Sequence, residues 1–148
     1  MTEEEFAYAL SEDGVQQTKA FLSCTGDLEN ELAIFHARME QMRNRKKYLE
    51  MDGADGLEKD TLLAGMKETE RQILEGYKTL LSVEDQVRSL IQKLPDKLQR
   101  ELLEWKHLHH LSFFAAAEKL HLDERHVYRV YKRALQAASV FYHQGMKE

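Results

Sequence analysis

The chain has 148 residues, one cysteine and a net charge of −5, which suits one or two small domains without an internal disulfide. Its acidic opening, MTEEEFAYALSEDG, lacks the basic-then-apolar start of a secretory signal, and no apolar run approaches the roughly 20 residues that span a bilayer. One proline, seven glycines and no alternating apolar pattern exclude a strand-rich fold, so an all-α, cytoplasmic, reduced protein without membrane contact is expected.

Residues 1–94 read as a helical region built on an antiparallel hairpin, with arms at about 28–51 and 57–94. In the first arm Leu28, Leu32, Phe35, Met39, Met42, Lys46 and Leu49 step by three and four, which lines one seam of a helix. DGADG, Asp52 to Gly56, stops that helix and turns the chain. It lacks the acidic spacing of a calcium loop. In the second arm Leu63, Met66, Glu70, Ile73, Tyr77, Leu80, Glu84, Val87, Ile91 and Leu94 repeat the stepping. Two seams joined by a short loop predict a coiled-coil-like antiparallel pair. Lys46 either meets Glu70 across that pair or extends to solvent at its edge. Outside the seams, Ile34, Leu62, Leu74 and Leu81 need a cover. The candidates are the segment Phe6–Phe21, the C-terminal region and a second copy of the chain, and a homodimer through the hairpin is the expectation.

Residues 95–148 read as a second domain. Pro95 suits the first turn of a helix, which carries Leu98, Leu102, Leu103 and Trp105 and is interrupted at HLHHL, residues 107–111. Ser112 is placed to cap a short helix, Phe113 to Leu120, and Asp123 to cap a last helix from Glu124 to about Phe141. His121, between them, tolerates a left-handed conformation better than most side chains. Ala116 and Ala117 leave room for another helix. Val127, Val130, Ala134 and Ala138 make an inward stripe. Short helix, tight turn, second helix with two valines three apart is the packing pattern of a helix-turn-helix.

With that stripe inward, the last helix presents Arg125, His126, Tyr128, Arg129, Lys132 and Arg133 outward, as candidate DNA-binding residues. Arginine and lysine pair with phosphates and guanine edges. Arg125, Tyr128 and Arg129 lie in the turns that enter a major groove, while Lys132 and Arg133 suit phosphates. Charge is placed accordingly. Residues 1–95 hold 12 basic and 19 acidic side chains, a net of −7, whereas residues 96–148 hold 9 and 7, a net of +2, with six histidines.

Other chemistries find little support. His107, His109 and His110 are close in sequence and His121 and His126 follow, but nothing fixes three or four of them on one point, so no metal is expected. They are read as covering a turn. Trp105 and Tyr131 are read as core. No nucleophile elbow, phosphate-cradling loop or zincin motif is present, so neither an enzyme nor a cofactor is expected.

From Leu94 to Leu135, through LPDKLQRELLEW, LSFFAAAEKLHL and DERHVYRVYKRAL, the chain resembles the DNA-binding region 4 of sigma-70-type sigma factors. VYRVYKRAL is similar to phage-encoded regulators of late transcription, of the RinA and ArpU kind. The resemblance implies a phage or prophage transcriptional regulator that reads promoter or operator double-stranded DNA, with RNA polymerase as a further partner. It puts DNA contacts at Glu124, Arg125, Tyr128 and Arg129. Glu124 and the apolar Phe114 depart from the family pattern, and Phe114 is a candidate to dock on the hairpin. No counterpart of the promoter-melting region is present. The alternatives are a DNA-recognition subunit of phage packaging machinery and a helical interaction module that binds no DNA.

Overall fold

The computed structural model describes residues 1–53 and 56–145; Ala54 and Asp55 of the expected DGADG turn, and residues 146–148, lie outside it. Every regular element among the described residues is helical, in keeping with the all-α expectation. The order is α1 (Glu3–Leu10), α2 (Glu12–Met51), α3 (Leu57–Gln92), α4 (Lys97–Leu103) running on as a π-helical turn (Glu104–Leu108), α5 (Phe113–Leu120) and α6 (Glu124–Gly145).

Local chemistry sets these boundaries. Thr2 and Glu5 form a reciprocal capping box at the start of α1, satisfying two donors that a helix start leaves free. Ser11 then serves two helices. It ends α1 in an extended conformation, and its hydroxyl accepts the Gly14 N–H at the start of α2. With that cap in place, α2 begins at Glu12 and runs unbroken through Gly26, well before the expected Leu28. No proline interrupts it, and buried Thr18 returns its hydroxyl to the Gly14 carbonyl, 3.1 Å away. Asp96, rather than Pro95, makes the start of α4, accepting the Gln99 N–H at 3.0 Å.

The chain packs as two units. One joins Met1–Gly26 to Val83–Glu148, and the other is the hairpin Asp27–Ser82. These lines differ from the expected 1–94 and 95–148, because the N-terminal segment packs on α6. Ala9 is fully buried, and the Ser139 hydroxyl of α6 donates to its carbonyl. His143 Nε2 lies 2.9 Å from the Gly14 carbonyl, and the Phe21 and Tyr142 rings stack at 5.0 Å. The core of this unit gathers Leu22, Val87, Ile91, Leu102, Leu103 and Val127. Burying each such side chain contributes about 1.5–3 kcal/mol.

In the hairpin unit, Leu32, Met39 and Leu49 of the α2 seam are buried as expected. The α3 seam is displaced by one residue over its first half. Leu63, Glu70 and Tyr77 are exposed, whereas Thr69 is buried and Gly65 and Gly76 face inward beside Met42 and Leu32. A Cβ on Gly76 would meet Leu32 Cδ2 at 2.6 Å, so the small residues set how closely the two arms approach. Lys46 lies 3.9 Å from Glu50 on its own helix, and Glu70 forms no ion pair among the described residues. Across the pair, Arg45 meets Glu58 at 3.1 Å and His36 Nε2 meets the Tyr77 hydroxyl at 2.9 Å.

Candidate nucleic-acid interface

The interface is built from α5, a short turn and α6. The Ser112 hydroxyl accepts the Ala115 N–H at 3.1 Å and starts α5. At its other end His121 takes the left-handed conformation, φ 57° and ψ 40°, as expected. The Leu122 N–H returns to the Ala117 carbonyl and the His121 N–H to the Glu118 carbonyl, which closes a Schellman motif without glycine. Asp123 then accepts the His126 N–H at 2.7 Å and opens α6. A three-residue turn, fixed by hydrogen bonds on both sides, sets the direction in which α6 leaves.

The rotation of α6 about its axis is fixed by burial. Val127, Val130, Tyr131, Ala134, Leu135 and Ala138 are all buried, so the valines point inward as their spacing predicts. Ala116 and Ala117 of α5 are buried as well. Glu124, Arg125, His126, Tyr128, Arg129, Lys132 and Arg133 are all exposed. At about 100° per residue, Arg125, Arg129, Lys132 and Arg133 fall within roughly a 100° arc opposite the valines. Tyr128 flanks that arc on one side and His126 on the other. Glu124 lies at the helix start, about 100° from Arg125 and outside the cationic stripe.

None of the four cations enters an ion pair among the described residues. Some cations elsewhere on the surface are paired instead. Arg71 is flanked by Glu68 and Glu75, which raise its pKa further, and Arg88 meets Asp85. Such pairs are normal on a solvated helix. A cationic stripe without carboxylates keeps its charge available to an external anion.

Two supporting residues escaped the sequence reading. Phe113 packs its ring 4.6 Å from Tyr128 and 4.8 Å from Tyr131, so half-exposed Tyr128 leans on a fixed aromatic wall. Lys106 sets its ammonium 4.6 Å from the Phe113 ring centre, adding a cation on the Tyr128 side. The available signal was the aromatic residue just after the Ser112 cap. Phe114, by contrast, is exposed.

The histidines separate. His107 is buried rather than covering a turn. Its Nε2 lies 2.9 Å from the Tyr131 hydroxyl, and its carbonyl accepts the hydroxyl of buried Thr25 at 2.9 Å. Burial first, then the nearby Lys106, His110 and Lys19, push its pKa down to about 4, while burial raises Tyr131 to about 12. His109 and His110 are exposed, His110 with a left-handed backbone. Among the described residues no three His, Cys, Asp or Glu side chains converge as metal ligands, and no helix is long and apolar enough to cross a membrane.

Compared with family models, curated proteins and solved structures, the chain matches none of them.

Proposed function

We propose that this protein is a sequence-specific double-stranded-DNA-binding transcriptional regulator, of the phage or prophage kind, that reads its site with the N-terminal half of α6. One observation carries the reading. Arg125, Arg129, Lys132 and Arg133 share one exposed face without carboxylate partners, on a helix whose rotation is locked by buried Val127 and Val130. A basic helix face of this kind suits a major groove. Arg125, Tyr128 and Arg129 take base edges, and Lys132 and Arg133 take phosphates. His126 flanks the phosphate track, and Glu124 sits at the helix start, where its charge suits the dipole. The resemblance to sigma region 4 supports promoter or operator DNA as the target and RNA polymerase as a further partner. The hairpin is assigned the pairing of two copies.

The test is to select genomic DNA fragments with the purified protein and measure affinity for the retained site. Arg125→Ala with Arg129→Ala is expected to lower specific affinity by about 100-fold or more, since each bidentate contact contributes about 1–3 kcal/mol, with helicity by circular dichroism unchanged. Lys132→Ala is expected to weaken all sequences alike and reduce the salt slope by about one. Unchanged affinity in the double variant removes α6 from recognition, and no retained fragment at low salt returns the protein to the interaction-module class.

A further inference from the structure

The one-residue displacement of the α3 seam leaves a second stripe pointing out of the hairpin. Leu63, Lys67, Glu70, Leu74, Tyr77 and Leu81 follow each other at steps of four and three, the spacing of a coiled-coil face. Its apolar members are 39%, 58%, 43% and 61% exposed for Leu63, Leu74, Tyr77 and Leu81. The stripe borders a groove between the two arms, whose floor includes Met39, Met66 and Ile73. Leu57, at the start of the same helix, is 83% exposed.

The charges in the middle of the stripe say what covers it. Lys67 and Glu70 sit at positions that an apolar seam would fill with leucine, and neither enters an ion pair among the described residues. Arg71, the nearest cation in sequence to Glu70, is already engaged by Glu68 and Glu75. Consider two α3 helices laid antiparallel about a two-fold axis, with residue 63 of one level with residue 74 of the other. Leu63 then meets the partner's Leu74, and Lys67 meets the partner's Glu70. Symmetry repeats both pairs. Leu81 reaches the start of the second helix, beside the partner's Leu57. The pairing length, residues 57 to 81, is about 36 Å of helix. The competing register, with 63 level with 81, sets Glu70 against leucine and Lys67 against tyrosine. It leaves four charges without partners in a desolvated seam, which is strongly disfavoured.

We infer that the outward stripe of α3, Leu63 to Leu81, is the face through which two copies of this chain pair antiparallel, with Lys67 and Glu70 fixing the register. It rests on the reading of the hairpin as the pairing surface and names the residues that do it. Polar residues inside an otherwise apolar seam commonly specify register at some cost in stability. DNA contact by α6 is not required, so the pairing is measured on free protein.

The experiment is sedimentation equilibrium of the full chain across a micromolar concentration series. Wild type is expected to dimerise. Lys67→Glu sets two carboxylates together at both symmetry-related contacts and is expected to raise the dissociation constant at least about tenfold. Adding Glu70→Lys to it restores opposite charges across the axis and is expected to bring the constant back toward wild type. Both positions are exposed, so folding is retained, which circular dichroism verifies. A wild-type dimer that Lys67→Glu leaves unchanged, or a double variant no tighter than the single, overturns the stripe while leaving pairing by another surface standing. A wild-type monomer throughout the series overturns both.

Discussion

Replacing Gly14 by alanine is expected to destabilise the fold by about 2 kcal/mol or more, although alanine is the better helix former. The reason is a backbone contact. A Cβ on Gly14 would lie 2.2 Å from the Tyr8 carbonyl oxygen and 3.2 Å from Ala9 Cα, about 1 Å inside any tolerable approach to the oxygen. A flexible side chain gives way at small cost, but here the obstacle is the last turn of α1. That turn is held in place from three directions. The Ser11 hydroxyl donates to the Tyr8 carbonyl and accepts from Gly14, the Ser139 hydroxyl donates to the Ala9 carbonyl, and Tyr8 meets the edge of His143 at 5.3 Å. Overpacking a rigid site costs about 1–3 kcal/mol, occasionally more, and exceeds the helix-propensity gain of up to about 1 kcal/mol. α1 is then expected to lift from α6, exposing Ala9. Thermal unfolding followed by circular dichroism checks this, with a fall of roughly 4–8 °C. The control is the same substitution in a chain lacking residues 1–10, where alanine meets no carbonyl and is expected to be neutral or stabilising. A Gly14→Ala full-length protein as stable as wild type would mean that α1 is not packed there.

Gly14 also shows why part of the fold was hidden from sequence reading. α5, its turn and α6 were legible nearly residue by residue because their signals are local. Ser112 and Asp123 cap, His121 accepts the left-handed conformation, and the valines three apart set the rotation of α6. Each of these acts within a few residues of its cause. The unread features depend on distant partners. Gly14 and Gly26 look like breaks in a helical pattern, yet Gly14 is required by a neighbouring helix, and a Cβ on Gly26 would only reach His110 Nδ1 at an ordinary 3.5 Å. On α3 the stepping of three and four runs through Leu63, Glu70 and Tyr77, whereas the inward line runs through Gly65, Thr69 and Gly76. Small residues let the arms close, so the larger side chains beside them are turned outward. A pattern that scores size and apolarity reads such a helix one residue out of phase. The candidate interface was legible for the same reason as α6 itself, while the support that Phe113 gives Tyr128 was not, because a cross-helix ring contact leaves no periodic trace.

The second large effect is a pH dependence centred on His107. His107 joins three parts of one unit: α2 through the Thr25 hydroxyl on its backbone carbonyl, the π-helical turn to which it belongs, and α6 through its ring and Tyr131. The groups whose charge acts on it are Lys106, His110 and Lys19, all cationic when protonated, and they reinforce burial in lowering its pKa from 6.5 to about 4. Tyr131, raised to about 12, stays neutral throughout. For a base whose folded pKa lies below its unfolded value, the unfolded chain binds more protons between the two. Stability therefore rises with pH across that window. It is fully present above about pH 6.5, is lost as pH falls toward 4, and changes no further from this source below that. The complete loss corresponds to about 3 kcal/mol, and about 2 kcal/mol of it falls between pH 7 and pH 5. Carboxylates begin to titrate at the lower end of the range, so the His107 share is isolated by comparison. His107→Gln keeps a polar partner for the Tyr131 hydroxyl and removes the ionisation. Urea denaturation at pH 7 and pH 5 is expected to show wild type losing about 2 kcal/mol more than His107→Gln. Equal losses in the two proteins would mean that His107 takes up its proton in the folded chain as easily as in the unfolded one, and that Tyr131 and Thr25 do not enclose it. The expected difference would instead make the junction of α2, the π-helical turn and α6 the acid-labile point of the fold.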